Sequence, residues 1–482
     1  MKKDEYVFDF EEPSGQDGEK GKSRENDDVD HADASLLPVD DVQTGQNPQN
    51  NPKKGKKIGA VLLAVGIGVG CFCAGFGVYP LLMDPEIRSL LKIKSIIQEK
   101  YYWEITDEEF YSALFAAVNE DVLDDYSAYM TEEEFSANQT EAAGTRTGIG
   151  VTFQVVSEDD AQSTFLYFVC GNSPAEKAGL QRGDEIVACG VQENDMTALT
   201  SYQQLKTFLE AQAQGSPFYL TYSRGGTEQT VQLSREVFEE NYVYYRTGSN
   251  SYAFGGQDAT ELEETQQPLT GLPEDTAYIR LTKFNGKASA QFSSAMTLFQ
   301  SQNMKHLVLD LRGNGGGYMN ILSGISSYFC KTATDSDPLV ASAKYKDGTE
   351  YGFYATRNLY HEYFSADSRI YLLADADSAS ASECLIGCMI DYGALQPTDI
   401  CLVEKDGTAK TYGKGIMQTT YTFGLGVTDA IRLTTAQIEW PLSSRCIHGV
   451  GLTGADGCKS TPYVFDHDGE IYGGLTALGI TV

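Results

Sequence analysis

Short, mostly apolar runs recur along the C-terminal half of the chain, and segments with helical spacing separate them. The runs at 277–281, 307–311 and 370–374 have the pattern of strands buried in a sheet. Residues 288–300, between the first two runs, have the spacing of a helix with one apolar face. Because strands that alternate with helices build sheets covered by helices, this half of the chain is predicted to be an α/β domain.

The pattern differs upstream. Residues 144–237 show short alternating segments separated by glycines, which predict a small β-rich domain. Within it, residues 173–180 predict a short helix and residues 202–209 a longer one. Residues 84–134 place apolar side chains at helical spacing, with Pro85 in a position suited to a first turn, and are predicted to be helical.

Residues 58–82 form an uncharged stretch that follows several lysines at 53–57. Since roughly 20 apolar residues span a bilayer, this stretch is long enough to do so. The lysines place its N-terminal side in the cytoplasm and everything after Asp84 outside. We therefore predict a basic flank and single transmembrane anchor at 53–82. The alternatives are a cleaved signal peptide, whose apolar region is usually shorter, roughly 7–15 residues, and lipid modification of Cys71.

Acidic residues outnumber basic ones by 68 to 36, which gives a net charge of −32. Such a chain repels phosphate, so nucleic acid is excluded as a partner. Residues 1–52 are acidic and poor in large apolar side chains, and they are predicted to be a disordered cytoplasmic tail.

Eight of the ten cysteines follow the apolar stretch. An oxidising exterior would permit disulfides, but the count does not fix their pairing. Cys384 and Cys388 are one helical turn apart and have no matching second pair, so they are interpreted as small buried residues. We predict neither a metal site nor a cofactor.

Three motifs in the C-terminal half can carry chemistry: Asp-Ser-Ala-Ser-Ala-Ser-Glu at 377–383, Thr-Tyr-Gly-Lys-Gly at 411–415 and Arg-Gly-Asn-Gly-Gly-Gly at 312–317. Each has an ordinary explanation: Ser380 and Glu383 fit a helix capping box, Lys414 fits an exposed loop, and the glycines fit a flexible turn. A glycine run can also direct backbone N–H groups at an anion, as an oxyanion hole requires.

In their order along the chain, the three motifs resemble those of the tail-specific, or carboxyl-terminal processing, proteases, which are serine endopeptidases with a serine–lysine dyad. The resemblance implies Ser380 as nucleophile, Lys414 as base, and Gln418 as the glutamine four residues after the lysine. It places the oxyanion donors at the N–H groups of Ala381, Gly316 and Gly317.

The residue chemistry can be weighed separately from the resemblance. A serine needs an adjacent base, and none of the five histidines stands in a triad motif. A lysine base must be neutral, which burial favours. Asp391 matches an aspartate of the family, but a salt bridge or a helix-end role explains it equally well. We therefore keep it out of the dyad.

Two further stretches resemble the same family. Residues 124–130, Asp-Asp-Tyr-Ser-Ala-Tyr-Met, match a family signature in which Asp125 replaces the usual proline. The resemblance implies that the helical segment around them can form a homodimer, while packing against the rest of the chain stays open. Residues 144–238 resemble the PDZ domain of these proteases. A PDZ domain adds a peptide as an extra strand and binds its terminal carboxylate with backbone N–H groups, which we assign to Ile149, Gly150 and Val151. The alternative is that the glycines only shape a turn.

One departure from the family is an insertion at 404–410, which lengthens the separation between Ser380 and Lys414. Lengthening a loop costs little free energy, so we expect the lysine to reach its place. If it does not, the chain would be a catalytically impaired homologue that acts as a peptide-binding scaffold or chaperone.

The predicted chain is therefore multidomain, of α/β and β class. Its parts are the disordered tail at 1–52, the anchor at 53–82, a helical segment at 84–140, a PDZ-like β domain at 144–238 and an α/β protease core at 239–482. The predicted function is that of a membrane-anchored, extracytoplasmic serine endopeptidase. Its partners would be proteins or peptides with accessible C-terminal tails.

Overall fold

The computed structural model describes residues 84–155, 162–255, 259, 261–265, 267–333, 337–405, 407–424, 427–464 and 467–482. The predicted tail at 1–52 and anchor at 53–82 lie outside these residues. Within the described ranges, no helix is both long and apolar enough to cross a membrane. The chain divides into two units between Ala117 and Val118.

The first unit contains two helices, α1 (Pro85–Lys100) and α2 (Asp107–Ala117), in which no residue is buried. The prediction that residues 84–134 are helical is confirmed for these two helices, but the helical stretch is interrupted between them. The chain turns extended at Tyr101, where φ is −69° and ψ is 143°. A new helix then starts because Thr106 and Glu109 exchange hydrogen bonds between side chain and backbone N–H, at 2.7 and 3.1 Å.

The second unit begins with a π-helical turn (Val118–Val122), β1 (Ala128–Met130) and α3 (Glu132–Ala142). A capping box between Thr131 and Glu134 starts α3. β1 pairs with a long strand of the C-terminal half, β20 (Val427–Glu439), through Tyr129 and Ile431. Part of the predicted helical segment therefore completes a sheet of the C-terminal half.

A β-rich domain follows. Its strands are β2 (Thr145–Gly148), β3 (Val151–Val155), β4 (Gln162–Val169), β5 (Glu185–Gln192), β6 (Asp195–Ala198), β7 (Pro217–Arg224), β8 (Thr227–Ser234) and β9 (Glu236–Glu239). Its helices are α4 (Pro174–Lys177) and α5 (Tyr202–Glu210), so both predicted helices are confirmed. The sheet order is β3-β4-β5-β7-β8, with β6 beside β5, and β2 pairs with β9. β3 is therefore an edge strand.

The two ends of this β domain lie side by side. β2 and β9 run antiparallel, with Thr145 opposite Glu239. Just outside them, the N–H of Glu240 donates to the carbonyl of Gly144 at 2.9 Å. The chain thus leaves and re-enters the rest of the unit at one point.

The C-terminal half is built on an eight-stranded sheet with the order β12-β11-β10-β13-β14-β17-β18-β21. Its strands are β10 (Val243–Arg246), β11 (Ser251–Gly255), β12 (Glu261–Thr265), β13 (Thr276–Leu281), β14 (His306–Asp310), β17 (Ile370–Ala374), β18 (Ile400–Val403) and β21 (Lys459–Thr461). The five from β13 onward in this order are parallel, and β10 to β12 are antiparallel. The predicted strands and the α/β class of this half are confirmed.

Helices cover this sheet, and a second sheet lies beside it. The helices are α6 (Ala288–Ser301), α7 (Met319–Ser326), α8 (Tyr360–Tyr363), α9 (Ala381–Asp391) and α10 (His467–Ala477). The second sheet contains β1, β20, β15 (Leu339–Tyr345) and β16 (Glu350–Tyr354), with β19 (Ile416–Gly424) paired to β20. Apolar side chains of α6, α7 and α9 pack against the parallel strands in one buried core.

The carboxyl ends of β14 and β17 position the candidate site. These strands are parallel neighbours, with Asp310 opposite Leu373. The glycine-rich loop follows the first strand and the Ser380 turn follows the second. In open α/β sheets, crevices at the carboxyl ends of strands are the usual place for ligands.

Candidate active site

Ser380 occupies a sharp turn between β17 and α9. Its φ is 56° and its ψ is −116°, and it is 2% exposed. For a non-glycine residue this conformation costs about 1–3 kcal/mol and persists only where the surroundings enforce it. Here the N–H of Ala379 and the hydroxyl of Ser382 both donate to the carbonyl of Asn314, at 3.0 and 2.8 Å. The turn thus presents a serine at the start of a helix, as nucleophile turns of hydrolases do.

The glycine-rich loop packs directly against this turn. A Cβ built on Gly316 would lie 2.8 Å from the Cβ of Ser380, and one on Gly317 would lie 2.5 Å from the carbonyl oxygen of Phe284. Both residues have positive φ, 108° and 143°. Only glycine fits this close approach of two backbones.

The three predicted oxyanion donors differ in what they bind. The N–H of Gly316 donates to the side-chain oxygen of Asn314 at 3.0 Å, so it is already engaged. Among the residues that the structure describes, no acceptor is bonded to the N–H of Ala381 or of Gly317. These two groups are therefore the better candidates, and Gly316 shapes the loop.

Lys414 lies in the loop that leads into β19 and is 4% exposed. Its Nζ is 5.0 Å from the centroid of the Tyr126 ring. The neighbouring glycines allow the loop to pack tightly, since a Cβ on Gly413 would lie 2.8 Å from the N of Gly451 and one on Gly415 would lie 2.7 Å from the N of His448. The insertion at 404–410 precedes this loop and leaves Lys414 buried.

Glu383 joins the serine turn to the lysine loop. Its Oε2 accepts the N–H groups of Ser380 and Lys414, at 3.1 and 2.8 Å. Its Oε1 accepts the N–H of Gly413 and the hydroxyl of Thr411, at 2.8 and 2.5 Å. Burial raises the pKa of this carboxyl, while the hydrogen bonds from Thr411 and the three N–H groups oppose the rise. The residue predicted as a helix cap also ties both candidate catalytic loops together.

Gln418 lies on β19 and is fully buried. Its Nε2 donates to the hydroxyl of Thr434 at 3.2 Å, and the N–H of Thr434 donates to Ser127 at 2.8 Å. Its Oε1 has no hydrogen-bond partner among the described residues. A buried carbonyl oxygen without a partner is suited to accept a bond from an amine.

Tyr126 lies at the candidate site, although its motif in the sequence indicates only dimer formation or packing. The ring covers Lys414, and its hydroxyl donates to that of Tyr412 at 3.2 Å. It also contacts His448 edge-on, with ring centroids 6.3 Å apart. Burial raises the pKa of the Tyr126 hydroxyl, and the bond to Tyr412 adds to the rise. The resemblance of residues 124–130 to a family signature was the signal that pointed to this segment.

A buried charged cluster, which no sequence motif predicts, lies beneath the glycine loop. Arg312 pairs with Asp310 at 2.7 Å and also with Glu470. The hydroxyl of Tyr278 donates to Asp310 at 2.6 Å. Burial raises the pKa of Glu470 to about 7, although Arg312 opposes the rise. The cluster holds Arg312, the residue that precedes the glycines of the loop, in place.

Asp375 accepts the N–H of Gly313 at 2.9 Å and so holds the start of the glycine loop against the end of β17. Burial and the charge of Asp377 raise the pKa of Asp375 to about 6. Asp391, left unassigned by the sequence, accepts the N–H groups of Leu442 and Ser443, both at 2.8 Å. It therefore anchors a loop at the far end of α9.

The predicted peptide-binding residues lie in the β domain at one end of a 180 Å³ cleft. Ile149, Gly150 and Val151 line it together with Phe153 of β3 and Leu209 of α5. Gly150 has a φ of 78°, and a Cβ there would lie 2.2 Å from the Cβ of Ser173. The cleft runs beside the edge strand of the sheet.

Comparison with known proteins finds a family match in the C-terminal half of the chain. Residues 275–454 match peptidase family S41. A "Probable CtpA-like serine protease" of Staphylococcus saprophyticus is 24% identical over 76% of this chain and 64% of its own length. A protein of the same description from Staphylococcus epidermidis is 26% identical over 79% of this chain and 67% of its own. This chain thus spans about two thirds of the length of these relatives.

A solved photosystem II D1 C-terminal processing protease is similar to this chain at 21% identity, with a TM-score of 0.41, over 75% of this chain and 84% of the other. A likeness at this level supports no inference about function. The family match and the sequence relatives do support an inference about the class of protein that these residues resemble. On that ground, residues 275–454 of this chain resemble the serine-type peptidases of family S41.

Proposed function

We propose that this chain is an endopeptidase that cleaves peptide bonds with Ser380 as nucleophile and Lys414 as base. The observation that carries the proposal is the carboxylate of Glu383, which accepts the backbone N–H groups of both residues. Two loops from different strands are thereby fixed against each other. This contact also argues against the scaffold alternative, in which the insertion would displace the lysine.

In the proposed reaction, the Ser380 hydroxyl attacks the carbonyl carbon of the scissile bond while its proton passes to the neutral amine of Lys414. The N–H groups of Ala381 and Gly317 donate to the oxygen that becomes negative. Lys414 then returns the proton to the leaving amine, which releases the C-terminal fragment and leaves an acyl-enzyme. Water, deprotonated by the same amine, hydrolyses the ester.

The surroundings of Lys414 fit this role in two ways. The side chain is buried, and a buried amine is more readily neutral than an exposed one. The Oε1 of Gln418 is buried without a partner in the described chain, and as a neutral acceptor it is available to a lysine amine without adding charge.

The β domain is proposed to recognise the C-terminal tail of the substrate as a PDZ domain does. A peptide would extend the sheet at β3, an edge strand, and its carboxylate would meet the N–H groups of Ile149, Gly150 and Val151. The cleft between β3 and α5 supports this placement.

We further propose that residues 58–82 anchor the chain in the cell membrane, with the N-terminus in the cytoplasm and the peptidase outside. The lysines at 53–57 and the length of the uncharged stretch support this orientation. The helical segment at 84–140 would then lie next to the membrane, where two copies can pair.

The test is cleavage of an unfolded reporter with an apolar C-terminal tail by the full chain in detergent. Ser380→Ala and Lys414→Ala should each lower kcat by about 1,000-fold or more, because a nucleophile and its base act as a unit. Ser294→Ala and Lys346→Ala, two exposed positions, are matched controls. Activity that survives Lys414→Ala would remove this lysine as the base, and a wild type that binds the tail without cutting it would favour the scaffold.

A further inference from the structure

A cavity of 380 Å³ opens beside the serine turn and the lysine loop. Its walls include Asp377 from the turn, Tyr412 from the loop, and Tyr126 and His448 from two other segments. The volume is within the range of small ligand pockets, roughly 300–1,000 Å³. It adjoins both loops of the candidate active site, and the reaction proposed above does not use it.

The remaining wall comes from the insertion at 404–410, which contributes Lys405 and Lys410. Backbone N–H groups of Lys405 and Thr408 each donate to the other's carbonyl, at 3.0 and 2.9 Å, and close the turn. The backbone of Lys410 pairs with Thr453 in an isolated bridge. The departure from the family pattern thus forms a fixed wall of this cavity.

The two lysines differ in their partners. Lys405 is paired with Asp377 at 2.7 Å, so these two charges offset each other. No carboxylate in the part of the chain that the structure describes is within 4.0 Å of the Lys410 amine. Among the described residues that line the cavity, Lys410 therefore leaves one positive charge in excess, in a chain whose net charge is −32.

The ring of Tyr126 separates the cavity from the proposed base, Lys414. Tyr126 lines the cavity, and the amine of Lys414 is 5.0 Å from the centroid of the same ring. An extended peptide advances about 3.3 Å per residue. A substrate group in the cavity therefore belongs to a residue within about three positions of the bond that is cut.

We propose that this cavity is a subsite for a carboxylate of the peptide substrate, with Lys410 as the residue that selects it. The carboxylate comes either from an aspartate or glutamate side chain or from the chain terminus. The proposal rests on the peptidase function proposed above and adds the substrate class. An ion pair with Lys410 in a partly enclosed site should favour glutamate over the isosteric glutamine.

The experiment uses the full chain in detergent and pairs of peptides that differ only by Glu or Gln at one position within three residues of the cleaved bond. The Glu and Gln peptides of these pairs carry an amidated C-terminus. The two peptides of a further pair both contain Gln and differ only in having a free or an amidated C-terminus. We expect the wild type to prefer the carboxylate about tenfold in kcat/KM at one position. Lys410→Gln should reduce this ratio to about one, and Lys346→Gln, an exposed control in a turn, should keep it. Because the ratio is measured within one enzyme, partial misfolding does not affect it.

The same peptides are also measured for binding to Ser380→Ala and to Ser380→Ala/Lys410→Gln. Equal kcat/KM for Glu and Gln peptides, or a preference that survives Lys410→Gln, overturns the subsite. Selective binding that depends on Lys410 without any cleavage by the wild type supports the subsite and overturns the peptidase function. If the wild type prefers only the peptide with a free C-terminus, the cavity binds the C-terminal carboxylate of the substrate.

Discussion

Gly316 lies so close to Ser380 that a Cβ added to the glycine would be 2.8 Å from the Cβ of the serine. The serine turn cannot yield, because hydrogen bonds to Asn314 hold it on both sides. Gly316→Ala should therefore push the loop away and misplace the N–H of Gly317. We expect a loss of at least about 100-fold in kcat, as for the removal of one oxyanion donor, measured with a chromogenic peptide.

Gly313→Ala is the matched control for this substitution. Gly313 also has a positive φ, 69°, but no atom is within 4 Å of an added Cβ. The substitution should cost about 1 kcal/mol or more of unfolding free energy through backbone strain while keeping most of the activity. Equal activity losses in the two variants would show that strain, and not the close approach, is what matters.

Glu383→Ala should lower both stability and activity. It would leave three N–H groups and the hydroxyl of Thr411 without their acceptor in a buried site. We expect a loss of about 3 kcal/mol or more in urea unfolding, since each buried unpaired donor costs about 1–3 kcal/mol. Thr411→Val removes one of these bonds and also the bond that the hydroxyl accepts from the N–H of Leu452 at 2.8 Å, so it should cost about half as much. A mild effect of Glu383→Ala would contradict the idea that this carboxylate holds the two loops.

Tyr126→Ala should lower kcat by about 10- to 100-fold, because it opens the ring cover of Lys414 to water and lets the amine move. Tyr126→Phe keeps the ring and loses only the hydroxyl bond to Tyr412. It should stay within about threefold of the wild type. If both variants lose activity equally, the hydroxyl and not the ring is the important group.

Asp375 should make the protein less stable as the pH rises. Burial raises its pKa to about 6, so its neutral form stabilises the fold fully below the usual carboxyl pKa, and that stabilisation is lost as the pH passes through 6. The loss should be at most about 3 kcal/mol between pH 4 and pH 8. Asp375→Asn should flatten this part of the curve of unfolding free energy against pH, and the exposed Asp367→Asn should not. A wild-type curve without this decline would contradict the prediction.

Local pattern was enough to predict the strands and helices of the C-terminal half. β14 and β17 are continuous apolar runs because both faces of a parallel strand are buried. Short motifs indicated Ser380 and Lys414 as candidates, and the structure buries both beside Glu383. The breaks in the helical stretch at 84–134 do not follow from periodicity, because the Thr-x-x-Glu sequences at 106–109 and 131–134 each start a helix of their own.

Contacts between distant segments could not be predicted in this way. The Tyr126 and Tyr412 hydroxyls are 286 residues apart in the chain, and Arg312 and Glu470 are 158 apart. A capping box explains Glu383 from its own helix, but its bonds to Gly413 and Lys414 depend on a loop that arrives from another strand. Likewise, Gly316 was assigned as a donor because nothing in the motif shows that Asn314 binds its N–H.

The hydrogen bond between Glu240 and Gly144 brings the two ends of the β domain together, so that the domain is inserted in the chain as a cassette. Its two attachment points adjoin, so another recognition domain whose termini meet could be grafted there without stretching the catalytic framework. β1, which precedes the cassette, already belongs to the sheet of β20, so the framework is complete on either side of the splice. Under the function proposed above, the parts for substrate choice and for bond cleavage can therefore diversify independently.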